Sequence, residues 1–214
     1  MTTLLDALLV LVLVLDLAAL GTSRIPVVVR VVAAQGFVLG ALPLLAHGEL
    51  GVESAAIAVA AVSLKGVTIP WMLFRALRDV PIRREVEPLI PTGASMFLGG
   101  AGVVLSLTFA SELPLTAHDG HSLIVPTALA TVITGFLLLA TRLKAISQVL
   151  GYLVLENGVY VFGLVLVDAV PLAVEIGALL DLVVAIFVMG IVLTHIRRAF
   201  ASTDTRALGA VEED

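Results

Sequence analysis

Three ionisable residues stand where a charge is hardest to keep. Lys65, Glu156 and Asp181 each fall near the middle of a long apolar run, at roughly 52–76, 146–167 and 170–195. A charge at the centre of a membrane helix costs about 3 kcal/mol or more, so intramembrane ionisable residues are functional candidates by default. If each run crosses the bilayer as a helix, all three groups lie at about one depth. An ammonium and two carboxylates at one level form a lateral row wherever their helices are neighbours. Burial disfavours the charged form of a carboxyl and a nearby ammonium favours it. A carboxyl held between those influences is suited to loading and releasing a proton as its partner moves. Glu156 is expected to be the central carrier, Asp181 the next site, and Lys65 the charge that biases them.

The surroundings of these residues add detail. Gln148, Tyr152, Glu156 and Tyr160 recur every four residues and form a slanted polar stripe, with Asn157 and Gly158 beside it. Interhelical hydrogen-bond glue is the plainer reading of such a stripe, but glue does not require an acid in hydrocarbon. Lys65 lies in SLKGVTIPW, where Pro70 cannot donate to the carbonyl of Gly66. The helix is therefore expected to be irregular beside the lysine. Irregular backbone at this depth is tolerated where it lines a polar cavity. The plainer role for Lys65 is to neutralise a buried carboxylate and lock helices together. Glu175 and Asp16 are secondary candidates: Glu175 is expected toward the outer interface and Asp16 close enough to the cytoplasmic end to be partly hydrated.

The elements that must position these groups are helices in a membrane. Of 214 residues, 60% are hydrophobic and 14% charged, and the mean hydropathy is +1.14. No single soluble core of this length can hide so much apolar surface. Apolar runs at roughly 4–21, 25–46, 52–76, 90–111, 122–141, 146–167 and 170–195 are each long enough to cross. The expected fold is an all-α integral membrane protein of seven transmembrane helices. The first run carries Asp6 and Asp16 and has no Lys or Arg before it, which marks a retained span rather than a signal peptide. Ten of the twelve basic residues fall in alternate connections or the tail, around Arg24, Arg75 to Arg84, Arg142 to Lys144 and Arg197 to Arg206. The positive-inside rule then sets the N-terminus outside and the C-terminus in the cytoplasm.

Other features narrow the chemistry. There is no cysteine, hence no disulfide and no cysteine-ligated cluster. The four histidines fall at segment ends or in connections, so no bis-histidine haem site is expected in the membrane. His118 and His121 flank Asp119 in an outer loop and read as solvated. No cofactor, no metal and no nucleic acid is expected, and no catalytic site. The pairs Gly36/Gly40, Ser95/Gly99 and Gly102/Ser106 have the small-residue spacing of close helix contacts.

With these residues in place, ISQVLGYLVLENGVYVF and VEIGALLDLVVAIFVMGIVLTHIRRAF resemble the hydrogenase-4 component E family, membrane proteins of formate-hydrogenlyase-type complexes. LKGVTIPWMLFRALRDVPIRREVEPLIPTG resembles that family's middle segment and RIPVVVRVVAAQGFVLGAL its second span. The last three spans are also similar to the K subunit of complex I and the C subunit of multisubunit sodium/proton antiporters. In that group Glu156 matches a mid-membrane glutamate, and Asp181 takes the place of a second. The resemblance implies one membrane domain, with four N-terminal helices over 1–111, a three-helix segment over 122–195 and a cytoplasmic tail over 196–214. It further implies a non-catalytic subunit of a complex-I-like assembly in a bacterial or archaeal plasma membrane. Its partners would be antiporter-like subunits and a hydrogenase-like or other redox peripheral arm, and its ion the proton, or sodium. A structural scaffold is the alternative, ahead of a component of a cation/proton antiporter.

Overall fold

A computed structural model describes residues 2–46, 58–59, 62–78, 89–113, 123–166 and 190, and within them the protein is helical. In chain order the long elements are α1 (Thr2–Leu20), α2 (Ile25–Ala46), a π-helix (Val62–Thr68), α3 (Ile69–Arg78), α4 (Thr92–Glu112), α5 (Ile124–Thr141) and α6 (Ala145–Leu166). Four of them, α1, α2, α4 and α5, are long and apolar enough to cross a bilayer. At 22 residues α6 is as long as α2, but polar residues interrupt it. This is a multi-pass membrane architecture. The run 170–195, with Glu175 and Asp181, lies outside the described residues except for Gly190, as do His118 and His121.

Prolines mark where helices begin. Pro26, Pro70 and Pro126 stand in the first turns of α2, α3 and α5, and Pro91 caps α4. A proline at a helix start forgoes an N–H that would have no intrahelical acceptor anyway. Pro70 has a second effect, because the residues before it are also helical. The backbone accommodates the missing donor by widening to a π-helix over Val62–Thr68. There the Thr68 hydroxyl donates to the Ser63 carbonyl five residues back at 2.8 Å. The irregularity expected beside Lys65 thus takes the form of a wide turn that contains Lys65 itself. Beyond it, α3 is amphipathic: Ile69, Leu73 and Leu77 are buried, while Trp71 and Arg75 face outward with the guanidinium 6.0 Å from the indole ring. A Trp and an Arg together on the outer face suit the membrane–water boundary.

The bundle closes through small residues. The closest pair is α5 with α6, where Gly135 lies on the Leu155 backbone and Gly158 on Val132 and the Ala128 carbonyl. On the other side α6 packs against α2, and α2 against α1, the π-helix and α3. Among the described helices α4 lies at the edge, against α5 and α1, through Ser95, Gly99, Gly102 and Ser106. Its large side chains face away: Phe97 is 77% exposed, and Val104, Leu105 and Phe109 are exposed with it. All three small-residue pairs therefore sit at helix contacts, with Gly36 on the Lys65 and Gly66 backbone and Gly40 on Val62. At one end of the bundle, buried Arg142 donates Nη2 to the Leu20 carbonyl at 3.2 Å, setting a cation at the C-terminus of α1.

Two glycine substitutions should separate packing from propensity. A Cβ at position 135 would enter the Leu155 backbone, whereas one at Gly100 meets nothing within 4 Å. Gly135→Ala should destabilise the detergent-solubilised protein by about 1–3 kcal/mol. Gly100→Ala should be neutral or stabilise it by up to about 1 kcal/mol. Thermal unfolding of the two variants checks both.

Candidate functional site

The polar groups of the bundle gather in one lateral layer. Glu156 and Asn157 lie halfway along α6, Gln35 halfway along α2, and Thr131 near the middle of α5. Lys65 comes from the centre of the π-helix and Asp16 from the last third of α1. Gly36 allows the approach, since a Cβ there would stand only 2.7 Å from the carbonyl carbon and oxygen of Lys65. The lysine backbone therefore rests directly on α2, and its side chain reaches past to α6.

The Lys65 ammonium meets the Glu156 carboxylate, with Nζ 2.8 Å from Oε1. Lys65 is 6% and Glu156 3% exposed. The ring of Tyr160, one turn beyond Glu156, lies 4.9 Å from the same Nζ, a cation–π distance. A buried pair is held by its mutual attraction against the loss of hydration, so removing one partner is far more damaging than removing both. Among the described residues the buried Tyr160 hydroxyl has no hydrogen-bond partner.

A second cluster lies beside the pair. Asp16 accepts from Gln35 Nε2 at Oδ1, 2.7 Å, and from Thr131 Oγ1 at Oδ2, 2.7 Å. Gln35 in turn accepts from Asn157 Nδ2 at 3.3 Å. Asp16, Gln35 and Thr131 are fully buried and Asn157 is 3% exposed. Asp16 is therefore not partly hydrated as its sequence position suggests: it turns inward between α2 and α5. Sequence reasoning does not single out Gln35 or Thr131. The signal available was Thr127, Thr131 and Thr134, spaced four and three apart on one face of α5, all fully buried.

The polar stripe on α6 divides. Glu156 and Tyr160 join the ion pair, Tyr152 packs against the apolar core around Leu150 and Leu153, and exposed Gln148 donates to the Arg142 carbonyl at 3.3 Å. A four-residue step advances about 40° around a helix, so Gln148 and Tyr160 are about 120° apart. Among the described residues no group of three or more His, Asp and Glu gathers as a metal site would require.

Comparison with known proteins gives the chain relatives. The uncharacterized protein Rv0085 of Mycobacterium tuberculosis is 36% identical over 181 residues, covering 83% of this chain and 81% of that one. Hydrogenase-4 component E of Escherichia coli is 24% identical over 148 residues, covering 69% of this chain and 68% of its own length, and that of Shigella flexneri matches equally. The chain belongs to one family with Rv0085 and is more distantly similar to hydrogenase-4 component E. No protein-family model matches it and no solved structure does.

Lys65→Met should destabilise the protein by about 3–5 kcal/mol by stranding a buried carboxylate. Adding Glu156→Gln should restore most of that loss, since the double variant leaves no unpaired charge. Thermal unfolding across the two single variants and the double variant measures the coupling, and additive effects would contradict it.

Proposed function

We propose that this protein is a non-catalytic membrane subunit of a hydrogenase-type respiratory complex and takes part in its proton translocation. Component E of hydrogenase-4 is, by its name, part of a hydrogenase, and the kinship extends over most of both chains. The observation that carries the proposal is the buried Lys65–Glu156 pair. The two residues belong to different helices and meet at 2.8 Å in a layer that water does not reach directly. A displacement of either helix changes the balance between desolvation and attraction at Glu156, and so changes its hold on a proton. The π-helix is the element suited to that displacement, because wide turns in helices recur at functional sites.

In this reading Glu156 is the carrier, Lys65 the charge that biases it, and Tyr160 the ring that holds the ammonium when Glu156 is neutral. Asp181 continues the row on the last span, with Glu175 toward the outside. Antiporter-like subunits pack on the free faces and extend the row laterally, while a redox arm of other chains drives it. The whole chain forms seven spans in a plasma membrane, with residue 1 outside and residue 214 in the cytoplasm, as its loop charges require.

Glu156→Gln removes the titratable proton but keeps size and a carbonyl that can accept from Lys65. The ammonium also retains the Tyr160 ring 4.9 Å away, so the variant strands the lysine less than Lys65→Met strands the carboxylate. The assembled complex carrying Glu156→Gln should lose redox-linked proton translocation in vesicles by about tenfold or more while assembly persists. Wild-type translocation by that assembled variant would leave only a scaffold role. Topology has its own test: reporters fused in the 77–89 connection should report the cytoplasm, and an external signal would overturn the seven-span arrangement.

A further inference from the structure

Asp16 and Glu156 are separated by two amides, Gln35 and Asn157, and an amide cannot do what a carboxyl does. Its NH2 only donates and its carbonyl only accepts, so it does not pass a proton along a chain in its ordinary form. The sequence Asp16 Oδ1, Gln35 Nε2 and Oε1, Asn157 Nδ2 is therefore no wire, although it is continuous and buried throughout. It has a direction instead. An ionised Asp16 has only acceptors, so Gln35 must turn its NH2 toward it and its carbonyl toward Asn157, which must then donate. A proton on Asp16 Oδ1 makes that oxygen a donor. Gln35 must then turn its carbonyl toward Asp16 and its NH2 toward Asn157, which must accept.

We propose that Gln35 and Asn157 act as an amide switch that reports the protonation of Asp16 on α1 to Glu156 on α6, which makes them positioning residues for translocation. The inference rests on the reading of Glu156 as the proton carrier and adds a second carboxyl that sets its state. Asn157 follows Glu156 in the chain, and Gln35 precedes Gly36, which lies on the Lys65 backbone. Each turn of the two amides therefore reverses dipoles one residue along the chain from both sides of the ion pair. Low polarity in the layer strengthens that effect. The hydroxyl of Thr131 donates to Oδ2, the Asp16 oxygen on the side away from the switch.

Among the described residues few other charges face Asp16. Of the helices packed against α1, α5 has no ionisable side chain, while α2 has Arg30 and α4 has Glu112, both exposed. Arg142 sits at the end of α1 on the Leu20 carbonyl. Asp6 lies nearly three turns away on α1 itself, and Lys65, Glu156 and Tyr160 lie beyond the amides.

The test uses the whole complex in vesicles and reads two quantities, redox-linked proton translocation and the carboxyl band of Glu156 in infrared difference spectra, assigned by its loss in Glu156→Gln. Asp16→Asn should shift that band in the native background and leave it unmoved in Gln35→Leu, or in Gln35→Met should the leucine variant fail to assemble. Gln35→Leu and Asn157→Leu should each lower translocation about fivefold or more, and the double variant should be no worse than either single one. A band that shifts equally in both backgrounds, or in neither, overturns the switch, as do additive losses. If Glu156→Gln abolishes translocation while Gln35→Leu matches wild type, only the switch fails. If Glu156→Gln itself translocates normally, the carrier reading fails and the switch with it.

Discussion

An ammonium and a carboxylate held 2.8 Å apart in a layer without bulk water set the terms for everything around them. Neither residue could remain charged there alone, so the helices that carry them have to meet and stay met. That demand explains why Gly36 allows α2 to lie on the lysine backbone and why Pro70 is placed to widen the turn that carries Lys65. It also explains the aromatic ring of Tyr160 beside the ammonium. The apolar clusters above and below, around Leu150 and Leu153 at one level and Leu5 and Leu9 at another, exclude water from the pair. In a bilayer these clusters gain little from burial, since lipid is as apolar as leucine. Shape and the polar layer, not hydrophobicity, decide which helix lies next to which.

Sequence and structure agree where lipid imposes the rule. Bilayer thickness fixes helix length, and proline fixes helix starts, so α1, α2, α4, α5 and α6 fall close to the apolar runs. The depth of Lys65 and Glu156 was legible for the same reason. Their contact was not, because neighbour relations depend on notches such as Gly36 and Gly135, whose partners lie far away in the chain. Gln35 and Thr131 escape notice because an amide or hydroxyl within a membrane helix has many ways to be satisfied locally. Only the inward turn of Asp16 gives them a shared purpose. Gln148 misleads for a geometric reason: a period of four drifts around a helix whose true period is 3.6.

The two polar clusters differ in kind. Lys65 and Glu156 form a pair of opposite full charges, whereas Asp16 is met by neutral donors alone among its described hydrogen bonds. A full charge opposite a carboxylate holds it against desolvation more firmly than dipoles do. The α1–α2–α5 junction is accordingly the softer of the two, and α6 carries residues of both.

Helix α4 shows how such a chain enters the membrane. It turns only serine and glycine inward at Ser95, Gly99, Gly102 and Ser106, and sets its phenylalanines and leucines outward. Lipid satisfies that outer face completely, so α4 can be released from the insertion machinery alone, as a finished span. Helix α6 has no such freedom, since Glu156 and Asn157 would meet hydrocarbon on every side. During synthesis α4 therefore arrives as a resident of the bilayer before α5 and α6 emerge. Chain order places α1, α2, α5 and the self-sufficient α4 ahead of α6, so the helix that carries Glu156 leaves the ribosome after the described helices it packs against.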